Sequence, residues 1–287
     1  MIKTILAVLI RIFSNSFANT FQKELAKNNS SCLITCVTYM FLSLMCLIPS
    51  FHVDWTQFTL DFWIYVCIAN LLCTLSTVCL VKALKTGELS ILSTINSYKC
   101  VVGLVVAFFV LKEIPNIYGL LGLILIVFGS WFVFETTKEG FSIAFLKRQD
   151  VILRILAMLL AGIEAVFLKK IIIMSSFDIS FILWCFGGLV FSLPLLLMFK
   201  HDLPFKNSLK SLHMFFILAV FIGLMQFSTN YVFSVMNVGL SLALFQLSTI
   251  VNLFIGYKIF KEKDILKKFI GIVIMLVGST FILLLNN

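Results

Sequence analysis

Three ionisable side chains stand deep inside apolar runs of this sequence, away from their ends: Arg11 in "ILAVLIRIFSNSF", Lys99 in "TINSYKCVVGLVV" and Glu164 in "LLAGIEAVFL". A guanidinium, an amine and a carboxylate brought together can neutralise one another, hold a solute that carries both charges, or pass a proton. A charge at the centre of a bilayer costs roughly 2.5–3.5 kcal/mol on insertion scales. Each of the three therefore needs a partner, water or a role. One reading is a buried ion pair, Lys99 or Arg11 with Glu164, that fixes helix packing, with Arg11 alternatively snorkelling toward its nearer interface. The other is a cavity whose two cations attract a carboxylate- or phosphate-bearing solute, with Glu164 as proton acceptor or ammonium contact.

The surrounding residues say what must position them. Apolar runs of about 20 residues, the length a helix needs to cross a bilayer core, recur along the chain at Ile2–Phe21, Cys32–Pro49, Phe62–Val81, Leu89–Leu111, Ile117–Phe134, Val151–Ile171, Ile179–Phe199, Met214–Val235, Leu240–Phe260 and Lys267–Leu285. At 1.5 Å per residue, Arg11, Lys99 and Glu164 fall within about one helical turn of the same depth. Polar and small residues at three- and four-residue steps mark the inward faces: Ser93, Asn96 and Lys99 in the fourth span, Gln226 and Asn230 in the eighth, Ser248 and Asn252 in the ninth. Such stripes face a bundle interior or a wet cavity. Asn96, Gln226, Asn230 and Asn252 are accordingly expected to orient a substrate.

Composition agrees: 61% hydrophobic residues, 12% charged residues and a mean hydropathy of +1.10 describe an integral membrane protein. The first run, interrupted by Arg11, is expected to be a retained helix. Most of the eight cysteines lie within spans as small apolar filler. No phosphate-binding loop, zinc-ligand pattern or nucleophile elbow occurs, so neither an enzyme nor a bound metal or cofactor is expected. The net charge of +9 is a topology signal rather than a nucleic-acid one, because the lysines gather in loops after odd-numbered spans. The positive-inside rule then places those loops in the cytoplasm, and both termini outside a cytoplasmic, multi-pass membrane.

The chain also repeats itself. "LKEIPNIYGLLGLILIVFGS" (111–130) lies against "FKEKDILKKFIGIVIMLVGS" (260–279), pairing Lys112 with Lys261, Glu113 with Glu262, Gly122 with Gly271 and Gly129 with Gly278. "ILAVLI" (5–10) matches "ILAMLL" (155–160), and Ser76-Thr77 matches Ser228-Thr229. A five-helix unit, 1–136, is thus joined through a loop, 137–150, to a second, 151–287. Five being odd, the second unit enters from the opposite side, an inverted repeat of the kind transporters use. The fold expected is an all-α polytopic membrane protein of ten transmembrane helices in two inverted repeats. The corner acids Glu113 and Glu262 are expected to pair or cap. Gly122, Gly129, Gly271 and Gly278 are expected at close helix contacts within one chain or across a homodimer.

On the Ala83-Leu84-Lys85 end of the third span, the "VLKE" and "IFKE" corners and the "GLILIVFG"/"GIVIMLVG" spans, the sequence resembles the drug/metabolite transporter superfamily in its ten-helix, EamA-like form. It departs from that pattern in lacking proline in the fourth and ninth spans, since the only prolines are Pro49, Pro115, Pro194 and Pro204. The resemblance implies a transporter; the inverted repeat points to alternating access, and the two cations with Glu164 point to secondary transport of a small polar metabolite, an amino acid or similar carboxylate-bearing solute, coupled to a proton. A lipid-linked sugar flippase, a nucleotide-sugar or sugar-phosphate exchanger, and a non-transporting membrane partner or sensor are the alternatives. The partners expected are a small-molecule substrate and the bilayer, and no nucleic acid.

Overall fold

A computed structural model describes residues 2–135, 146–198, 212–260 and 265–285. The described residues form helices and short turns, with no strand. The first half holds α1 (Ile2–Ala26), α2 (Ser31–Ser50), α3 (Leu60–Thr86), α4 (Leu89–Asn96), α5 (Lys99–Leu111) and α6 (Ile117–Glu135). The second holds α7 (Gln149–Met174), α8 (Phe177–Met198), α9 (Leu212–Val235), α10 (Val238–Phe245), α11 (Ser248–Phe260) and α12 (Ile265–Leu285). With no water in hydrocarbon to satisfy the backbone, such apolar runs have helix as their route to closed hydrogen bonds. Among the described residues, seven helices are long and apolar enough to cross a membrane, with Val238–Ile259 counted as one. This is a multi-pass membrane protein. Most of the expected connecting loop (137–145) and the Lys261–Glu262 corner lie outside the described residues.

Two expected spans are not continuous. Leu89–Leu111 breaks at Ser97–Tyr98, and Leu240–Phe260 breaks at Gln246–Leu247. No proline causes either break. Instead the chain tightens to i→i−3 bonds: Tyr98 N–H donates to Ile95 O (3.3 Å) and Val101 N–H to Tyr98 O (3.1 Å). At the second break Gln246 N–H donates to Ala243 O (3.0 Å) and Thr249 N–H to Gln246 O (2.8 Å). Tightened turns of this kind free backbone groups that only neighbouring protein or water can satisfy. Thr249 Oγ1 accordingly donates to Ser93 O (3.3 Å), and the side chains of Asn96 and Gln246 join the two breaks, Asn96 Nδ2 donating to Gln246 Oε1 (3.3 Å).

The packing keeps its pattern when the halves are exchanged. α3 packs on α7 and α9 on α1; α5 packs on α10 and α4 on α11; α2 meets α8, and α6 meets α12. The α6–α12 contact is set by glycine. A Cβ on Gly122 would lie 2.6 Å from Gly278 O, one on Gly278 2.7 Å from Gly122 O, and one on Gly129 2.6 Å from Gly271 O. As one partner's number rises the other's falls, so the two helices run antiparallel, backbone against backbone. Close approach of small residues is what holds helices together in lipid, where burial alone supplies no driving force. The glycine faces are therefore occupied within a single chain.

Candidate functional site

A cavity runs through the middle of the bundle, lined among others by Arg11, Asn15, Asn19, Tyr39, Asn96, Lys99, Arg154, Glu164, Trp184, Gln226, Phe233 and Phe245. It offers about 130 Å³ of room for the centres of water molecules. Arg11 and Asn19 come from α1, Tyr39 from α2, Glu164 and Arg154 from α7, Trp184 from α8 and Gln226 from α9. Asn96 and Lys99 stand on either side of the break between α4 and α5. Two broken helices at corresponding positions of two repeats, with their ends at a midplane site, are a recurring transporter arrangement.

The three charges meet here, but not as an ion pair. Among the described residues no carboxylate comes within 4 Å of Lys99 or Arg11, whereas Glu113–Lys169 and Arg148–Asp150 do pair. Lys99 feels Glu164 by attraction and Arg11 by repulsion. Oε1 of Glu164 and Nε of Arg11 are buried without a hydrogen-bond partner. Arg11 is 8% exposed and does not snorkel; its guanidinium carbon sits 4.4 Å from the centroid of the Phe245 ring. Cation–π contacts of this kind contribute about 2 kcal/mol when desolvated, less than a buried charge costs. The charges consequently face a space that water or a solute must fill.

Of the four amides expected to orient a substrate, Asn96 and Gln226 line the cavity and two do not. Asn230 is fully buried between α9 and α8, donating from Nδ2 to Ser180 Oγ (2.7 Å) and Phe177 O (3.3 Å) and accepting from Gln226 Nε2 (3.0 Å). Asn252 is 1% exposed and also outside the lining. Several lining residues are not among those expected at the site, Arg154 included, although it is a charge near the start of an apolar span. Tyr39 and Trp184 form an aromatic wall, their centroids 5.0 Å apart, held by a Trp184 Nε1 to Cys73 Sγ bond (3.0 Å) and a Tyr39 Oη···Cys73 Sγ contact (3.4 Å). Arg154 donates from Nε to Leu92 O (2.8 Å), tying α7 to α4. Gln246 was within reach of the repeat, since it stands 150 residues from Asn96.

The cavity does not treat its two ends alike. Toward the face where α1 ends and α2 begins, the lining reaches Gln22, Thr35 and Arg154, within about a turn of the helix ends. Toward the opposite face it stops at Phe233 and Phe245, whose rings lie 6.0 Å apart. Beyond them Glu113, a corner acid expected to pair or cap, is nearly buried. Its Oε1 pairs with Lys169 Nζ (2.7 Å), and its Oε2 accepts the Val238 N–H (2.8 Å) at the start of α10. Lys169 Nζ also donates to Met236 O (2.6 Å). The ends of four helices, α5, α7, α9 and α10, are thus drawn together. Glu113 follows Lys112, the one non-glycine residue with positive φ (56°) among the described residues, which ends α5.

A model of the EamA-like transporter family matches the chain twice, over residues 2–135 and 150–284. The chain belongs to the EamA-like transporter family. Membership places it in the drug/metabolite transporter superfamily and assigns it membrane transport as a class of activity. The chain is also similar to a solved protein crystal structure at a TM-score of 0.69 with 12% identity, covering 99% of this chain and 96% of that one. At that identity the likeness concerns the fold. No curated protein sequence matches. Within the EamA-like frame the two family matches coincide with the two sets of exchanged helix contacts, and the charged cavity lies between them.

Proposed function

We propose that this EamA-like protein is a ten-span secondary transporter of a small, carboxylate-bearing zwitterion such as an amino acid, working by alternating access and exchanging its solute for a proton. In this reading α4–α5 and α10–α11 each make one broken span, and the halves 1–136 and 151–287 are inverted repeats. The antiparallel glycine contact between α6 and α12 supports the inversion. The observation that carries the function is that Arg11, Lys99 and Glu164 line one cavity with no ion-pair partner within it.

Removing one partner of a buried charge pair typically costs 3–5 kcal/mol. Arg11 and Glu164, both buried, and the half-buried Lys99 have no ion-pair partner and therefore favour any solute that completes them. A carboxylate between Lys99 and Arg11, with an ammonium at Glu164, does so with one small molecule. Asn96 and Gln226 supply directional hydrogen bonds. A cavity volume of about 130 Å³, close to the roughly 150 Å³ of a cavity that holds benzene, suits a small amino acid; a nucleotide sugar is several times too large. Glu164 can take a proton when the ammonium leaves, which would couple the two fluxes. The lysine-rich α1–α2 face is assigned to the cytoplasm by the positive-inside rule, so the termini lie outside a cytoplasmic membrane. One chain completes both the cavity and the glycine contact, so a homodimer would have to use another surface.

In liposomes with an imposed pH difference, the wild-type protein should accumulate a labelled amino acid from a mixed panel. Glu164→Gln should exchange internal for external solute yet lose pH-driven accumulation by at least tenfold. Undiminished pH-driven accumulation by Glu164→Gln would remove this carboxylate from coupling.

A further inference from the structure

The charges that line the central cavity do not balance for a neutral amino acid. Among the described residues of the lining, Arg11, Lys99 and Arg154 are cations and Glu164 is the acid. On the transport reading, on which this inference rests, the α-carboxylate of the solute meets Lys99 and Arg11, and its ammonium meets Glu164. Arg154 is left over.

Among the described residues no anion takes up that charge. Arg154 is 6% exposed, and a buried charge is costly unless it is paired. Its Nε donates to Leu92 O (2.8 Å), while the N–H groups of its two Nη atoms have no partner among the described residues. Unlike Arg11 Nε, neither Nη is sealed from solvent, so the donor fork of this guanidinium is accessible from the cavity that Arg154 lines. Such a fork matches the two oxygens of a carboxylate. Asp150, one turn earlier on α7, is engaged by Arg148 (2.8 Å) instead. Glu164 lies ten residues further along α7, about 15 Å at 1.5 Å per residue. Lys99 feels Arg154 by repulsion, as it does Arg11.

We infer that the solute carries a second carboxylate, held by Arg154, and that the substrate is an acidic amino acid, aspartate or glutamate. Its α-carboxylate meets Lys99 and Arg11, its ammonium meets Glu164, and its side chain points toward the open end of the cavity, where Arg154 stands. Leu92, whose carbonyl holds the guanidinium, is seven residues before Lys99, about 10 Å along the α4–α5 span. With a charge-assisted contact of about 2.8 Å at each end, several ångströms remain for the carbons between two carboxylates. A lone carboxylate does not bridge them. A dicarboxylate without an ammonium leaves Glu164 unmet.

The test is solute exchange by the full-length protein in liposomes, read as half-saturation concentrations for aspartate, glutamate, their amides asparagine and glutamine, and glutarate. Each amide keeps the size of its acid and lacks the second charge; glutarate keeps two carboxylates and lacks the ammonium. Wild type should prefer the better acid over its own amide, and over glutarate, by at least tenfold. Arg154→Gln, whose amide can still donate to Leu92 O, should reduce the preference for acid over amide at least tenfold, and Arg154→Lys should keep it within about threefold. A residue that only ties α7 to α4 would affect acid and amide alike and leave their ratio unmoved, so an unchanged ratio in Arg154→Gln would overturn the assignment. If that variant does not fold, the wild-type comparison of acid with amide decides. Equal half-saturation by acid and amide would overturn the second carboxylate and leave the amino-acid reading standing. Glutarate favoured over both acids would overturn the acidic amino acid as substrate. Exchange of none of the five would overturn the amino-acid reading itself, and this inference with it.

Discussion

Gln226 and Asn230 sit one turn apart on α9, yet the first faces the cavity and the second holds the bundle together. Asn230 satisfies Ser180, Phe177 and Gln226 at once. Asn230→Ala leaves those groups short of partners, and an unmet buried polar group costs about 1–3 kcal/mol. The variant should melt lower in detergent while its affinity for a transported solute stays within twofold of wild type; a loss of affinity with unchanged melting would put Asn230 back in the site. At this scale the sequence is informative where physics is harsh. A charge in an apolar run is costly whatever the fold, so Arg11, Lys99 and Glu164 stand out by residue type and surroundings alone, and all three line the cavity. Amides are cheaper to bury and pair locally, so a stripe that contains Asn230 or Asn252 does not say which member faces the cavity. Tyr39 and Trp184 are hidden for another reason: in a chain with 31 phenylalanines, one more ring on an apolar helix carries no mark.

At the scale of elements, the helices are readable from length and hydropathy, but the breaks that divide two of the expected spans are not. Proline is the usual sequence sign of a break, and here tightened turns at Ser97–Tyr98 and Gln246–Leu247 do the same work without it. Their effect is to place Lys99 at the start of α5 and to free Asn96 and Gln246 to bond across the breaks. The second element-level device is the closure formed by α5, α7, α9 and α10 through Glu113 and Lys169. Removing one partner of a largely buried pair costs about 3 kcal/mol, and here it also loosens the face beyond Phe233 and Phe245. Lys169→Met should speed backbone hydrogen exchange in residues 112–116 and 236–238 at least tenfold and leave the α1–α2 turn unchanged. Unaltered exchange at those corners would mean the pair is not what holds that face shut.

For the whole molecule, the repeat seen in "LKEIPNIYGLLGLILIVFGS" and its partner reappears as helix contacts that survive exchange of the halves. Gly122 against Gly278 and Gly129 against Gly271 are the most direct expression of it. The sequence repeat pairs Gly122 with Gly271; the structure packs each glycine against the other member of the second pair, as antiparallel helices require. What symmetry leaves open is which end of the cavity is closed, and that asymmetry arises from side chains rather than from the repeat. The central claim is that the unpaired charges are completed by a solute. Ligand bound only to the folded state adds about 2.7 kcal/mol of stability at a hundredfold excess over Kd. The most direct measurement is therefore thermal unfolding of the purified protein against a panel of amino acids, organic cations, sugar phosphates and nucleotide sugars, for wild type and Lys99→Met side by side. The account predicts that amino acids raise the wild-type melting temperature by several degrees and leave that of Lys99→Met unmoved. Equal stabilisation of both proteins by the same solute would contradict it, since Lys99 could not then be a substrate contact.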